Sequence, residues 1–269
     1  MAFSEEKQCL LYWWFNRKNG GLRLKSMDAK VFRAFIASRR STRDFLPTAI
    51  DPTVVDQLIT DGLTAPSWSN TRPYMVAVAS GQVRDRISAD LLKRWNAAAG
   101  LRSGSIVDKI KFVFRPYAWP QSDYPMISAY PAELQPRSRK VGKDLYGLLG
   151  VARGDKKARD DQWANNYKFF GAPVEVFVFI HKGLGAFAAN DAGLFAQNLM
   201  LSAHAQGLGT CAQGAVAIWS NAVRREFKVP KDYKLIYGIA IGYATDAPVN
   251  GFQAERLPFG EIKIPLKDE

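Results

Sequence analysis

The segment from Val174 to Ile180 constrains the fold of this chain more than any other. It is a run of β-branched and aromatic residues, bounded by Gly171-Ala172-Pro173 on one side and Lys182-Gly183 on the other. A run of that length without regular polar alternation reads as a strand buried on both faces, so it belongs in the centre of a sheet. Leu235 to Tyr243 reads as a second buried strand, with Gly238 and Gly242 permitting close packing, and Tyr74 to Ala79 as a third, shorter one. The helices between them carry their own start and stop signals. Asp28 to Ser38 spaces Val31, Phe32, Phe35 and Ile36 at three-and-four intervals, and Asp51-Pro52 supplies an N-cap and a first-turn proline for a helix through Leu63. A helix is expected from Arg84 to Ala99, and another from Trp219 to Phe227. Asn190 or Asp191 caps a core helix that carries Leu194, Phe195, Leu199, Met200 and Leu201 and stops at Gly207. Strands and helices are mixed without strict βαβ alternation, so the expected architecture is an α+β layered fold in one domain, with no internal repeat.

That domain spans 28–269, behind an N-terminal extension of residues 1–27. The extension holds an apolar stretch, Leu10 to Phe15, which is short, preceded by acidic residues and followed by no small-residue cleavage site. It reads as a leader or an appended helix, and Met27 is an alternative start. Between about 100 and 166 the pattern loosens into aromatic, proline and charged residues. A disordered linker and a lid-like insertion compete here, and the aromatic content favours the lid. Hydrophobic residues make up 47% and charged residues 23% of the 269, the balance of an ordinary soluble globular protein rather than a disordered or membrane one. Cys9 and Cys211 stand far apart with no CxxC spacing, which fits a reducing cytoplasm. The net charge of +12 raises nucleic acid, membrane or small anions as partners, but Lys and Arg are spread along the chain without an RNA-binding or helix-turn-helix signature. Most of these charges read as solvated faces. The lesser alternative is a positive field that attracts an anionic cofactor, NADPH or a carboxylated substrate.

Three segments carry chemistry. Arg39-Arg40-Ser41-Thr42-Arg43 gathers three guanidinium groups and two hydroxyls at a helix end, which suits a phosphate through charge-assisted bidentate hydrogen bonds, although a solvated basic turn has the same composition. Pro66 to Asn70 offers Ser and Asn groups and free amides on a Pro-bounded frame, the equipment for the edge of a planar ring, or a simple turn. Gly207-Leu208-Gly209-Thr210-Cys211-Ala212-Gln213-Gly214 lets the chain bend after a buried helix and approach a ligand, or serves only as a connection. It is not a GxGxxG fingerprint and follows a helix, which disfavours a Rossmann site. His181 and His204 read as structural; a Cys211 and His204 pair lacks a third orienting group, and no metal-ligand spacing is present.

The order of these segments, followed by Asn250 and Arg256-Leu257-Pro258, resembles the FMN-dependent nitroreductase family from about residue 30 onward, in particular its longer, nitrobenzoate-reductase-like members. The resemblance implies a central, mainly antiparallel sheet surrounded by helices and an intertwined homodimer with FMN at the interface. It assigns Arg39, Ser41 and Arg43 to the phosphate, ribityl chain and pyrimidine edge of FMN, with Arg40 close by through its backbone and Arg256 closing the phosphate site. Pro66, Ser67, Trp68 and Asn70 would act from the partner subunit, and the Gln213-Gly214 backbone would face the flavin N5. No side chain is then a catalytic acid or nucleophile. NADPH or NADH reduces the flavin, leaves, and is replaced by a small aromatic acceptor in a ping-pong exchange. Trp119, Tyr124, Tyr130 and Arg137 to Lys140 of the lid would stack on and neutralise a nitroaromatic carboxylate. Ala254 departs from relatives that carry a basic residue there. A flavin, quinone or enone reductase, a reductive dehalogenase and a non-catalytic flavin-binding protein remain as alternatives. The implied partners include neither nucleic acid nor membrane.

Overall fold

The structure, a computed structural model, describes residues 27–102, 105–125 and 130–267. The readings for Cys9, Leu10 to Phe15 and the rest of the extension up to residue 26 lie outside the described residues. The chain divides into two compact units, Met1–Arg39 and Arg40–Glu269. Of the first, the described part is helix α1 (Ala29–Ser38), capped by the Asp28 carboxylate, which accepts the Lys30 N–H at 2.6 Å. Arg39 follows it in extended backbone.

The second unit is built on an antiparallel four-stranded sheet in the order β1-β2-β4-β3, with β1 at Tyr74–Ser80, β2 at Val174–His181, β3 at Gly209–Gln213 and β4 at Tyr233–Gly242. The apolar run of β2 takes a central place and is buried from Val174 to Ile180. Val174, Val176, Val178 and Ile180 face a core shared with Val55 and Leu58 of α2 (Pro52–Gly62), and with Phe195 and Leu199 of α7 (Gly185–Ala205). Phe177 and Phe179 face a second core with Ile87 and Leu91 of α3 (Gly81–Ala97), and with Tyr167, Phe169 and Trp219. Each fully buried Phe or Leu contributes about 1.5–3 kcal/mol. A strand without a polar face therefore requires covering layers on both sides.

Several expected boundaries shift, the helix expected at Arg84 to Ala99 running instead over Gly81–Ala97. Helix α7 starts at Gly185 rather than at Asn190 or Asp191, because the Asp191 carboxylate is buried and accepts a hydrogen bond from the distant Trp68 N–H instead of capping its own helix. Its end is as the sequence implies, with Gly207 in the left-handed region at φ 75° and Leu208 N–H returning to the Ala203 carbonyl. Helix α8 (Ser220–Arg224) is shorter than Trp219 to Phe227.

The segment after Gly207 is not a free bend: Gly209–Gln213 is edge strand β3. The glycine at 209 is needed for a close approach, since a Cβ there would press into the Thr42 side chain. The insertion after α3 folds into α4 (Ile106–Val113), α5 (Gln135–Leu148) and α6 (Lys156–Ala164). Arg94, 1% exposed, ties its start to α3 by donating to Asp90, to the Tyr117 carbonyl and to Gln121 Oε1 at 2.8–3.0 Å. Asp123 accepts from Arg224 and from Leu235 N–H, both at 2.8 Å, which ties its middle to α8 and β4. No helix among the described residues is long and apolar enough to cross a membrane.

Candidate functional site

The basic turn lies along β3. Thr42 N–H donates to the Thr210 carbonyl at 2.9 Å, Ser41 bridges Thr210, and Phe45 bridges Ala244 just beyond β4. Asn250 fixes the turn from the far end of the chain. Its Oδ1 accepts Arg43 N–H at 2.8 Å and Asp44 N–H at 3.2 Å, while its Nδ2 donates to the Asp44 and Thr245 carbonyls at 2.7 and 3.0 Å. Ser41 and Arg43 are half-buried and Arg40 is exposed. Four backbone groups held by one amide make this a preset cradle rather than a solvated turn.

Arg43 lines a cavity of ≈ 1790 Å³ together with Gln213, Gly214, Tyr124, Tyr130 and Trp163. That exceeds the roughly 300–1,000 Å³ of an ordinary small-molecule pocket, leaving room for a large cofactor and a second ring. Gln213, 2% exposed, donates from Nε2 to the Asn166 carbonyl at 2.8 Å, while its Oε1 is buried without a donor. Gly214 begins a 3-10 turn, Gly214–Ile218, and a Cβ placed on it meets no atom within 4 Å. The turn therefore presents backbone to open cavity.

The loop from Pro66 to Asn70 stands apart from this cavity: Pro66, Ser67, Trp68 and Asn70 are not among its lining residues. Ser69, Asn70 and Arg72 have φ of 47°, 56° and 44°, and such non-glycine residues cost on the order of 1–3 kcal/mol each. Hydrogen bonds hold them there. Asp191 Oδ2 accepts Trp68 N–H at 2.9 Å, Ser67 Oγ accepts Arg72 N–H at 3.0 Å, and Asn70 Oδ1 accepts from the Arg72 guanidinium at 2.6 Å. The Trp68 ring is over half exposed and packs 4.4 Å from Phe187. The loop is stiff, and its aromatic face points outward.

Arg256 is exposed, donates to its own segment at the Ala254 carbonyl, and does not line the cavity. Of the lid residues, Tyr124 and Tyr130 line the cavity, whereas Trp119 does not. Lys140 is ion-paired with Asp144 and Glu255 at 3.0 Å, and Arg137 lies 4.0 Å from Glu261. The cations that do line the cavity are Arg43, Arg84 and Lys168. His181 accepts Gly183 N–H and meets Tyr233 edge-on, a structural role. No cluster of metal ligands occurs among the described residues. Sequence reasoning passed over Glu175, a wholly buried acid in β2 whose carboxyl burial holds well above the usual carboxylate range. The available signal was a charged residue inside a run otherwise apolar. Burial also pushes the Tyr167 hydroxyl up to about 12.

The model of the nitroreductase family matches residues 36–243, so the chain belongs to the nitroreductase family. It is 31% identical to a 4-nitrobenzoate reductase of Pseudomonas putida over 84% of this chain and 91% of that protein. It is also 31% identical to the nitroreductase NfnB of Mycolicibacterium smegmatis over 87% and 92%. Among solved structures, the FMN-dependent nitroreductase NfnB from Mycobacterium smegmatis in complex with NADPH superposes with a TM-score of 0.75 and 30% identity, covering 89% of this chain and 99% of that one.

Proposed function

We propose that this chain is an FMN-dependent oxidoreductase that carries electrons from NADPH or NADH to nitroaromatic acceptors, working as a homodimer with FMN at the interface, in a reducing compartment such as the cytoplasm. One observation carries the reading: the Gln213–Gly214 turn and the Asn250-held basic turn open on one cavity, and bare backbone at Gly214 faces it. These residues fit FMN. Its phosphate suits Ser41 and the Arg40 backbone, and its pyrimidine edge suits Arg43, whose fixed charge favours the reduced, anionic form. Arg39 and Arg256 are assigned to the phosphate on the resemblance alone. Pro66, Ser67, Trp68 and Asn70 would act on the partner's flavin, which their stiff, outward presentation supports.

When bound, FMN supplies the two-electron chemistry, taking a hydride from the nicotinamide and returning electrons to the acceptor. The Gly214 amide would hold the flavin at its reacting nitrogen, as a donor fixed before the reaction begins. Tyr124, Tyr130 and Trp163 wall the space in which nicotinamide and acceptor take turns, which is the basis for a ping-pong order. Relatives named for 4-nitrobenzoate support a carboxylated nitroaromatic as acceptor. Its carboxylate would meet Lys168 rather than Arg84, Arg137 or Lys140, which already face acids.

The test is an absorbance spectrum of purified protein, stopped-flow reduction by NADPH and NADH, and turnover with 4-nitrobenzoate, nitrobenzene, menadione, free FMN and iodotyrosine. A yellow protein reduced by a nicotinamide and reoxidised fastest by a nitroaromatic is expected. A colourless protein that cannot be loaded with FMN overturns the proposal, and faster turnover of a quinone, flavin or halogenated substrate replaces its acceptor class.

A further inference from the structure

The four strands align two rows of side chains on the cavity side of the sheet. One row runs Ala79, Glu175, Ala240 and Cys211; the next runs Ala77, Phe177, Gly238 and Gln213. Glu175 and Gln213 are thus diagonal neighbours across β4, and the residues between them, Gly238 and Ala240, are small. The gap is occupied, because a Cβ on Gly238 would overlap Glu175 Oε1 and also come within 3.1 Å of Val216, a residue of the Gly214–Ile218 turn. Both Glu175 oxygens and Gln213 Oε1 are buried with no donor in reach. An oxygen that needs a donor and a carboxyl group that can be one lie on the same small-residue gap.

We infer that Glu175 is a positioning residue for the Gln213–Gly214 turn: its carboxyl group reaches across Gly238 and donates a hydrogen bond to the Gln213 carboxamide oxygen. With its oxygen held, the Gln213 amide is oriented so that Nε2 meets the Asn166 carbonyl at 2.8 Å, which joins the end of the insertion to β3 and sets the Gly214 backbone that follows. A carboxylate cannot donate, so the proton must stay on, and full burial favours that form. The other ionisable groups on this face do not neutralise the acid. Arg84, from α3, opposes the shift by its charge; its two terminal nitrogens serve Asp85 and the Lys168 carbonyl, and its Nε is buried without an acceptor. Tyr167, from the segment before β2, is itself held protonated by burial, and Cys211 of β3 is buried in the same row, beyond Ala240.

The inference rests on the proposed role of the Gly214 amide only for its effect on turnover, so its test has an arm independent of flavin. Infrared difference spectra of the full chain against Glu175→Gln at neutral pH are expected to contain the carbonyl stretch of one protonated carboxyl group, and Gln213→Leu is expected to shift that band by removing its acceptor. Absence of the band, or a band that Gln213→Leu leaves in place, overturns the inference whether or not the protein binds FMN. In the flavin-loaded protein, Glu175→Leu is expected to slow flavin reduction by NADPH about tenfold, the scale of one lost buried hydrogen bond. Glu175→Gln, still a donor, is expected to restore most of the rate. Equal rates for Glu175→Leu and the parent, or a loss in Glu175→Gln as large as in Glu175→Leu, would count against it. Should Glu175→Leu fail to fold, the infrared arm decides.

Discussion

Glu175 keeps its proton in the folded chain well above 4.5, whereas in the unfolded chain it ionises near that value. The folded state thus binds the extra proton, and the stability tied to that proton is complete at acid pH and declines as pH rises above 4.5, with a slope of up to about 1.4 kcal/mol per pH unit. Chemical denaturation of Glu175→Gln and the parent across pH 5 to 8, roughly the window that slope covers, is expected to show the variant gaining on the parent as pH rises. A constant difference would mean that the acid ionises in both states. Lys168 gives a second residue-scale outcome. Lys168→Ala is expected to raise KM for 4-nitrobenzoate about tenfold while leaving nitrobenzene little changed, as steady-state kinetics on both substrates would read, because only the first carries a charge to lose.

At the scale of elements, the long apolar strands were legible because burial on both faces leaves no alternation to misread. Strand β3 was not. It is five residues of an edge strand that opens on Gly209, two residues after Gly207, and the same letters spell a turn. What distinguishes them is the Thr42 side chain, which arrives from far along the chain to occupy the space at Gly209. Asp191 misled in the same way: its local pattern is an N-cap, and its use is to clamp a loop more than a hundred residues earlier. The basic turn and the Gln213–Gly214 turn were readable as chemistry only through their order along the chain, since composition alone allows solvated turns. The element contacts give two outcomes. Gly238→Ala is expected to destabilise the sheet by about 1–3 kcal/mol through overpacking. Most of that is expected to vanish in a Glu175→Ala background, which a double-mutant cycle of urea midpoints would measure. Asn250→Ala is expected to weaken FMN binding at least about tenfold in a fluorescence titration, because the cradle loses four hydrogen bonds at once.

At the scale of the whole molecule, the ring-edge loop and the cavity belong to one chain without meeting in it. The sequence showed both and their order, but not that separation, since distance between motifs in space leaves no mark on either. If each loop serves the other subunit, flavin and dimer are lost together. Serial dilution followed by size-exclusion chromatography with absorbance detection is expected to show FMN leaving as the dimer dissociates, and a monomer that keeps its flavin would refute shared sites. Asn250 has one more consequence, and it concerns time. The cradle at Arg43 takes its shape from a residue 207 positions downstream. A ribosome must therefore translate through residue 250 before the Arg43 turn can take this shape, so under the proposed function cofactor loading would follow the synthesis of all four strands.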